Sequence, residues 1–436
     1  MLLDGGEVIT SELEIKRRLF NAFDPIEPLN PEDPRYVDWN KARYSENLLA
    51  DIFDTIRLTD GHTCQLLSGH RGCGKTTELL RLRRKLEREC YFVVYCESDI
   101  FVDLNDRVEF SEIFLAISQQ IANTAREQNI RLEVSRLRSF FAGLWDILSA
   151  TVAPKETKLK DPFGIFEIGF ELKNNPNNRQ LVREYSRPRS ATLLQAVNDA
   201  LEETTERLKN QNNACSGLIV IVDNLDRMLR QMPSGANRSS HDQLFVDYAS
   251  QLRGLACHVI YTIPPELLCS SEGVALFNLY ATQPHMMSMV PVTTRAGKAD
   301  ETGIERLVEA VERRVTFANA PSAFAADSVI ERLCSASGGY VRSLMTMAQQ
   351  SINYSPSLPI KEQAVEAAIK SFRNSLIRGF RENHWAMLRE ITQTKKIMRD
   401  ESLMLLKNES VLEYIDDDGP WYDVHPVVRE AKEFAS

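Results

Sequence analysis

Short, mostly apolar runs alternate with longer segments of helical periodicity through the first two thirds of the chain. Such runs lie at residues 65–67, 91–96, 218–222 and 258–263, and segments with apolar residues three and four positions apart lie between them. A continuous apolar run is typical of a strand that is buried on both faces of a parallel sheet. The pattern therefore predicts an α/β fold around a central parallel sheet, with a last strand at 286–292.

From about residue 303 the pattern changes to helices alone. They are expected at 303–316, 322–337, 340–353 and 361–374, and the segment after them has the order helix, helix, two short strands, helix. We therefore predict a three-layer core with a helical lid and a C-terminal winged-helix-like module. The expected domains are an N-terminal arm and helix at 1–60, the core at 61–300, the lid at 301–376 and the winged-helix-like domain at 377–436.

Two segments stand apart from the predicted sheet. Residues 40–55 carry apolar positions at helical spacing and lead into the first strand, so we expect a helix there. Residues 130–190 fit the strand–helix alternation poorly, because 154–178 are rich in Lys, Asn and Pro. We interpret 130–190 as an insertion in the core.

The composition excludes several classes of protein. A chain of 436 residues is too long for one compact core, and its 43% hydrophobic and 26% charged residues are ordinary for soluble globular proteins. A net charge of −9 argues against nonspecific binding to nucleic acid or to a membrane. No apolar run is long enough to cross a bilayer and no secretory signal is evident, so we expect a cytoplasmic protein. The eight cysteines form no C-x-x-C pair, which predicts reduced thiols.

The strongest motif is a glycine-rich loop between the first apolar run and a helix. Residues 69–76 match G-x-x-x-x-G-K-[ST], the phosphate-binding P-loop. Its glycines let successive backbone N–H groups face an anion, and the helix N-terminus adds its positive dipole end. In such loops the lysine contacts the β- and γ-phosphates and the following hydroxyl binds Mg²⁺, so we predict ATP and Mg²⁺ as ligands. The expected nucleotide-binding residues are Gly69, His70, Arg71, Gly72, Cys73, Gly74, Lys75, Thr76 and Thr77.

An acid at the end of a buried strand is the usual complement of a P-loop. Asp223 ends the third apolar run and is, with Thr76, a candidate Mg²⁺ ligand. The next residue is Asn224, which cannot act as a base, whereas ATPases that hydrolyse briskly usually carry Glu there. Asp226 is a possible substitute, although it can equally bind Arg227 or cap the next helix. We therefore expect slow hydrolysis, and a faster rate in Asn224→Glu.

Two further side chains are candidates for contact with the γ-phosphate. Thr262 lies near the end of the next apolar run, and Arg342 lies at the start of a lid helix. A strand-end hydroxyl and a lid arginine both suit that role. Each also has an ordinary interpretation. Thr262 can be a lone threonine within a strand, and Arg342 can be a solvated arginine at the start of a helix. The candidate catalytic residues are Lys75, Asp223, Asp226, Thr262 and Arg342.

Taken in order, these motifs resemble those of AAA+ ATPases. The matching stretches are Gly69-His70-Arg71-Gly72-Cys73-Gly74-Lys75-Thr76, Val222-Asp223-Asn224-Leu225-Asp226-Arg227, the strand end at Thr262 and Gly338-Gly339-Tyr340-Val341-Arg342. Over residues 36–376 the chain looks most like the branch that joins origin-recognition initiators with STAND signalling ATPases, including uncharacterised bacterial members. The resemblance implies an ATP-driven open/closed switch, with Thr262 in the sensor 1 place and Arg342 in the sensor 2 place. Arg313 and Arg314 are arginine-finger candidates by position only, and helix-surface residues otherwise.

Three functions remain open at this stage. The first is a nucleotide-controlled switch that acts on a protein partner or on its own assembly, as in bacterial signalling or defence. The second is an initiator or loader that grips DNA with its winged helix, and the third is an ATP-binding scaffold without turnover. Residues 377–436 hold nine Lys and Arg against twelve Asp and Glu, including three acids at 416–418. Because an acidic wing is repelled by phosphate, the sequence disfavours nucleic acid.

Two residue groups have an ordinary and a functional interpretation. Trp421 and Tyr422 suit a protein contact but are more simply core aromatics. The densest basic cluster outside the P-loop helix is Arg179, Arg183, Arg187 and Arg189. Such a cluster can bind phosphate or a partner's acids, and solvated surface is its simplest interpretation.

Overall fold

The computed structural model describes residues 11–43, 48–130, 132, 135–151, 173, 175–211, 215–232 and 238–435. By its internal contacts the chain divides into two compact units. The first consists of Met1–Asn47, His70–Thr77 and Met287–Ser436, and the second of Leu48–Gly69 and Glu78–Met286. No helix in the described ranges is both long and apolar enough to cross a bilayer.

A sheet with the strand order β2-β3-β4-β1-β5 forms the centre of the second unit. Its strands are β1 (Cys64–Gly69), β2 (Tyr91–Glu97), β3 (Gly217–Asp223), β4 (His258–Ile263) and β5 (His285–Met287). The β1–β4, β2–β3 and β3–β4 pairs are parallel. Strands β1, β3 and β4 are buried along almost their whole length, as their apolar runs predict. The predicted α/β fold with a central parallel sheet is confirmed.

Helices cover this sheet and connect its strands. Their bounds are Leu48–Leu58, Lys75–Arg88, Ser98–Phe101, Phe110–Glu127, Ser135–Thr151, Pro176–Ser186, Ser190–Gln211, Ser240–Asp242, Ala249–Arg253, Pro265–Leu268 and Gly273–Tyr280. Shorter 3₁₀ turns occupy Arg187–Arg189 and Leu225–Arg227, and a π-helical turn occupies Gln243–Asp247. One hydrophobic core joins the sheet to helices Phe110–Glu127 and Ser190–Gln211, with Val220, Phe114 and Val197 fully buried. Burial of this apolar surface is the main force that holds the unit together.

Helices dominate the first unit. Their bounds are Glu12–Ala22, Glu301–Phe317, Asp327–Ser337, Val341–Tyr354, Glu362–Ile377, Glu382–Thr394, Leu403–Lys407, Pro426–Arg429 and Lys432–Ala435, with a 3₁₀ turn at Asp400–Ser402. An antiparallel hairpin of β6 (Val411–Asp416) and β7 (Gly419–Val424) lies among the C-terminal helices. The element order matches the one expected from the sequence, while the winged-helix assignment stays a prediction. Trp421 is buried and stacks on Tyr414, which confirms the core interpretation for Trp421.

Two element ends differ from the prediction. The last strand is short, because β5 ends at Met287 rather than 292. Of the helix expected over 40–55, Leu48–Leu58 is present and Asn40–Arg43 form a turn, while 44–47 lie outside the described residues. Apolar spacing alone identified these two segments, and it fixes element ends poorly.

The predicted insertion contains helices Ser135–Thr151 and Pro176–Ser186. Its residues 131, 133–134, 152–172 and 174 lie outside the described residues.

The arginine cluster does not form a solvated surface. Arg179 is 4% exposed and pairs with Asp103 and Asp106, Arg183 pairs with Glu112 at 3.0 Å, and the Arg187 Nε lies 3.0 Å from a Glu109 oxygen. Arg187 and Arg189 are exposed, and Arg189 lies over the Tyr185 ring. Because Glu109 and Glu112 are themselves buried, these arginines neutralise charge inside the unit. The sequence could not show this, since the acids lie some seventy residues upstream.

Arg314 also differs from its expected place on a helix surface. It is buried, and its guanidinium donates to the Arg35 and Ala310 carbonyl oxygens. Burial lowers the pKa of Arg314 to about 10, and the Arg35 charge contributes to the same shift. Arg313 lies nearer the surface and donates to the Tyr36 carbonyl oxygen at 2.5 Å. Both side chains hold the N-terminal arm to helix Glu301–Phe317 within the first unit.

Candidate functional site

The glycine-rich loop follows directly from β1 and leads into helix Lys75–Arg88. Gly72 has φ +86° and Gly74 has φ +104°, a region that L side chains rarely adopt. The Cys73 N–H donates to the His70 carbonyl oxygen at 3.2 Å and closes the turn. A strand, a turn with left-handed glycines and a helix N-terminus together form the anion-binding geometry expected of this motif.

Lys75 and His70 lie at the two ends of this loop. The Lys75 ammonium is buried and donates to the His70 carbonyl oxygen at 2.8 Å. Burial lowers the pKa of His70 to about 3, and the Lys75 charge adds to this effect, so the imidazole is neutral at pH 7. The His70 Nε2 is buried, and within the described residues it has no hydrogen-bond partner. A buried polar atom without a partner is uncommon and is consistent with a loop that accommodates a polar ligand.

Three residues distant in the sequence fix the loop from outside. The Arg43 guanidinium donates to the Cys73 carbonyl oxygen at 2.5 Å, and the Tyr340 hydroxyl donates to the Arg71 carbonyl oxygen at 2.7 Å. The Leu29 N–H donates to the Thr77 hydroxyl at 3.1 Å. Two carbonyl oxygens of the loop, those of Cys73 and Arg71, are therefore engaged by side chains from outside it. Sequence analysis did not identify Arg43 or Tyr340, and no local pattern marks them.

Arg342 lies against the loop, in the second position of helix Val341–Tyr354. A Cβ atom on Gly72 would fall 2.5 Å from the Arg342 Nε and 2.8 Å from its Cβ. The guanidinium also approaches the Pro25 carbonyl oxygen at 3.4 Å. Arg342 is therefore packed against the loop rather than being a solvated helix-start residue.

Glu409 is an acidic residue of the C-terminal segment that lies near the glycine-rich loop. It precedes β6, is half-buried and has φ +66°. Burial raises the pKa of Glu409 above its ordinary value, whereas the Tyr340 hydrogen bond and the Arg342, Arg71 and Lys75 charges lower it. The charges of Lys75 and Arg71 in the loop and of Arg342 on the lid helix therefore act on this carboxylate. A left-handed φ is unusual for Glu, and such outliers often mark functional positions.

Asp223 ends β3 in the second unit, and its carboxylate is fully buried. One carboxylate oxygen accepts a hydrogen bond from the Tyr95 hydroxyl at 2.8 Å, and the other accepts the Asn224 N–H at 2.7 Å. The Ser98 hydroxyl donates to the Asp223 carbonyl oxygen at 2.6 Å. These contacts hold the carboxylate at the carboxyl edge of the parallel sheet, the edge at which β1 also ends.

The residues after Asp223 form a tight turn. Asn224 has φ +69°, and its side-chain amide donates to Asp99 at 2.7 Å. Arg227 pairs with the other Asp99 oxygen at 2.7 Å. Asp226 lies half-buried within the 3₁₀ turn, and its predicted role as a base stays a prediction.

Thr262 is buried and supports this turn from β4. Its hydroxyl accepts a hydrogen bond from the Leu225 N–H at 3.1 Å and approaches the Val222 carbonyl oxygen at 3.5 Å. The hydroxyl thus joins β4 to the end of β3. Contact between Thr262 and the γ-phosphate stays a prediction.

Two side chains are candidate ligands of Mg²⁺: the Thr76 hydroxyl at the start of the helix after the loop, and the Asp223 carboxylate at the end of β3. Each is a hard oxygen donor of the kind that Mg²⁺ prefers, and coordination of one ion by both stays a prediction. Among the described residues, no three His, Cys, Asp or Glu side chains cluster as a metal site made of protein alone. Mg²⁺ usually takes one or two carboxylates and completes its shell with substrate phosphates and water. A single buried acid therefore suits it.

A known protein family matches the part of the chain that carries the glycine-rich loop and Asp223. Residues 41–232 match the family model described as the KAP family P-loop domain. This match confirms the predicted P-loop NTPase domain. A comparison with proteins of curated function found no match.

The chain is also similar to solved structures along almost its whole length. The Walker-type ATPase PABY2304 of Pyrococcus abyssi shares 15% identity, with 94% of this chain and 99% of that chain covered and a TM-score of 0.47. Cdc6p from Pyrobaculum aerophilum shares 12% identity, with 95% and 96% covered and a TM-score of 0.39. The Aeropyrum pernix ORC2 protein, in ADPNP–ADP complexes, shares 12% identity, with 95% and 96% covered and a TM-score of 0.42.

Proposed function

We propose that this chain is an ATP-binding switch in which the triphosphate competes with Glu409 for the cationic groups of the P-loop. The observation that carries the proposal is the position of Glu409 beside Tyr340, whose hydroxyl donates to the Arg71 carbonyl oxygen of the loop. There the charges of Lys75, Arg71 and Arg342 act on the Glu409 carboxylate. These are the side-chain types that a nucleotide's phosphates require. Nucleotide binding therefore changes the environment of the segment that carries Glu409.

The loop supplies the phosphate contacts in this proposal. Its backbone N–H groups and the Lys75 ammonium hold the β- and γ-phosphates. The Thr76 hydroxyl would coordinate Mg²⁺, which neutralises phosphate charge when bound. Arg342 pairs with the γ-phosphate from the lid helix, and Thr262 keeps the turn after Asp223 in place.

Electrostatics explains why Glu409 responds to the ligand. Two unit negative charges about 4 Å apart repel each other by about 4 kcal/mol at an effective dielectric constant of about 20. A bound phosphate near the ionised Glu409 therefore forces the carboxylate either to take up a proton or to move away. Movement is transmitted to the hairpin, because Glu409 lies two residues before β6.

The readout of this switch is a protein contact, with a partner or with a second copy. Hydrolysis is slow and resets the switch, since Asn224 replaces the glutamate expected of a brisk ATPase. A role in bacterial signalling or defence is what the resemblance to STAND ATPases implies. The acidic C-terminal segment makes DNA the less suitable partner.

Titration with a fluorescent ATP analogue tests the proposal. Glu409→Gln removes the competing charge, and we expect about tenfold tighter binding, which corresponds to about 1.4 kcal/mol. Lys75→Ala should abolish binding, whereas Glu401→Gln, an exposed acid in the same segment, should leave the affinity unchanged. Equal affinities for wild type and Glu409→Gln would refute the competition, and failure of the wild type to bind any nucleotide would refute the whole assignment.

Light scattering and a gel shift separate the possible readouts. A switch predicts that ATP changes the mass of the wild-type particle, or that of its complex with a partner, but not that of Lys75→Ala. A scaffold predicts nucleotide binding without phosphate release. Tight, salt-sensitive binding to duplex DNA would favour the initiator.

A further inference from the structure

We propose that the Tyr340 hydroxyl couples the protonation of Glu409 to the backbone of the glycine-rich loop. This inference rests on the proposed function, and it names the positioning residue through which the acid acts on the nucleotide site. Tyr340, Glu409 and loop residues 70–77 all belong to the first compact unit.

Tyr340 lies where the lid meets the loop. It is the N-cap of helix Val341–Tyr354 and is only 1% exposed. Its hydroxyl donates to the Arg71 carbonyl oxygen at 2.7 Å. The Tyr340 N–H donates to the Ser337 carbonyl oxygen at 3.1 Å, and its own carbonyl oxygen accepts a hydrogen bond from the Ser343 hydroxyl at 2.8 Å. Burial and these backbone bonds hold the ring in the position from which its hydroxyl reaches the loop.

The segment that carries Glu409 packs against the same junction. A Cβ atom on Gly338 would fall 2.7 Å from the Leu412 Cδ1, and the Tyr414 hydroxyl donates to the Gly338 carbonyl oxygen at 2.7 Å. The start of the hairpin is thereby fixed two residues before Tyr340. Glu409 comes beside the Tyr340 hydroxyl as a result, and a hydrogen bond between the two side chains stabilises the ionised acid.

A tyrosine hydroxyl has one proton to donate. Burial, with the Glu409 charge adding to the effect, raises the pKa of Tyr340 well above its ordinary value, so the hydroxyl keeps this proton at neutral pH. The Arg71 carbonyl oxygen and the Glu409 carboxylate therefore compete for it. An ionised carboxylate is the stronger acceptor, whereas a protonated one can donate to the hydroxyl oxygen. The Arg71 bond consequently has its full strength only when Glu409 is neutral or has moved away.

The acid and the loop therefore respond to the ligand together. In the proposed switch, a bound triphosphate makes Glu409 take up a proton or move away. Either change returns the Tyr340 proton to the Arg71 carbonyl oxygen, which fixes a peptide of the loop that holds phosphate. Loss of the Glu409 proton has the opposite effect and loosens the loop when no nucleotide is bound.

Glu409 is the group that titrates in this arrangement. Burial is the largest effect on its pKa and raises it. The side chains that lower its pKa are Tyr340, Arg342, Arg71 and Lys75. Cys73 of the loop also lies near the Tyr340 hydroxyl. The loop histidine, His70, has a pKa of about 3, so it does not change charge at the pH values at which a carboxylate of raised pKa titrates.

The pH profile of nucleotide affinity in Tyr340→Phe tests the coupling. Each affinity for the fluorescent ATP analogue is divided by that of the same protein carrying Glu409→Gln, because the phosphates of the analogue titrate in the same range. In the wild type this ratio should rise from about one tenth at high pH to about one at low pH, as Glu409 takes up its proton. Loss of the hydroxyl destabilises the ionised Glu409, so the midpoint in Tyr340→Phe should lie about 0.5–1 pH unit higher.

Two further variants separate coupling from simple support of the loop. Tyr340→Phe/Glu409→Gln, compared with Glu409→Gln, measures the Arg71 bond alone and should bind the analogue about 3–10-fold more weakly at every pH. Tyr354→Phe removes a hydroxyl at the far end of the same helix, where it donates to the Ser371 hydroxyl at 3.2 Å, and should leave the midpoint unchanged.

The remaining outcomes distinguish the failure of this inference from that of the proposed function. A Tyr340→Phe profile with the wild-type midpoint would overturn the coupling and leave the competition between Glu409 and the triphosphate standing. A wild-type ratio that stays at one at every pH would refute that competition and the coupling with it. A wild type that binds no nucleotide would refute the assignment of an ATP site.

Discussion

Gly72 and Arg342 are in such close contact that the loop has no room for a side chain at position 72. A Cβ there would lie 2.5 Å from the Arg342 Nε, and the backbone of Gly72 has φ +86°. Two independent constraints, one steric and one conformational, therefore require glycine. The contact also couples the loop to helix Val341–Tyr354 within one unit.

A double-mutant cycle at Gly72 and Arg342 measures that coupling. Gly72→Ala should lower the free energy of unfolding by about 2–3 kcal/mol, because it adds a clash to about 1–2 kcal/mol of backbone strain. Arg342→Ala removes the guanidinium but leaves its own Cβ 2.8 Å away, so we expect the double variant to recover about 1 kcal/mol. Urea denaturation of the four proteins provides the measurement, and strictly additive effects would contradict the contact.

The buried pair of Arg183 and Glu112 provides a second prediction. Arg183→Gln leaves Glu112 charged and buried, so we expect a loss of about 3–5 kcal/mol of stability. The double variant Arg183→Met/Glu112→Gln removes both charges and should recover more than half of that loss. Arg189→Gln, in the same cluster but exposed, should cost less than about 1 kcal/mol. Equal effects of Arg183→Gln and Arg189→Gln in thermal denaturation would restore the solvated-surface interpretation.

Asn224 shows why its replacement by Glu needs a companion change. Its left-handed φ suits Asn better than Glu, and its amide donates to Asp99, which would repel a carboxylate. We therefore expect Asn224→Glu alone to cost about 1–3 kcal/mol of stability, by strain and charge repulsion. A higher rate of phosphate release is expected only in Asn224→Glu/Asp99→Asn. If the single variant is faster and as stable as the wild type, the turn does not constrain this position.

We predict that the stability of the protein depends on pH through the titration of Glu413. It is buried in β6, one oxygen accepts a hydrogen bond from the Tyr422 hydroxyl at 2.9 Å, and burial raises its pKa to about 8. The pKa of Glu in the unfolded chain is about 4.3. Below that pH, Glu413 is protonated in both the folded and the unfolded state, so its contribution to the free energy of unfolding is fully present. As the pH rises toward 8 the unfolded state alone loses the proton, so stability falls by up to about 1.4 kcal/mol per pH unit.

Glu413→Gln removes this titration. Relative to wild type, the variant should gain stability as the pH rises from about 5 to about 8. Urea midpoints measured across that range for both proteins provide the test. Parallel profiles would show that Glu413 is ionised in the folded state. Glu433→Gln, an acid near the C-terminus, is the control and should follow the wild-type profile.

The local parts of the site were predictable because each depends on residues that are neighbours in the chain. The P-loop spacing from Gly69 to Thr76 defines a strand, a turn and a helix start without help from the rest of the protein. An acid at the end of an apolar run identified Asp223. Helix and strand ends were less accurate, since capping and packing decide them.

Contacts between distant segments could not be predicted from these patterns. Nothing near Glu409 in the sequence indicates that the charges of Lys75, Arg71 and Arg342 act on its carboxylate. The arginines at 179, 183 and 187 have the spacing of a basic surface, and only their ion pairs with Asp106, Glu112 and Glu109 show otherwise. A charged residue has the same local pattern whether it is solvated or paired, so its role depends on what packs against it.

By itself, the sequence determined the α/β sheet and the presence of a phosphate-binding loop, because apolar periodicity and glycine spacing act over a few residues. Only the tertiary structure decided which charges are buried, which hydroxyl supports Asp223 and which acid faces the loop. Those relationships depend on side chains brought together by the burial of apolar surface from segments hundreds of residues apart, and no local pattern encodes that proximity.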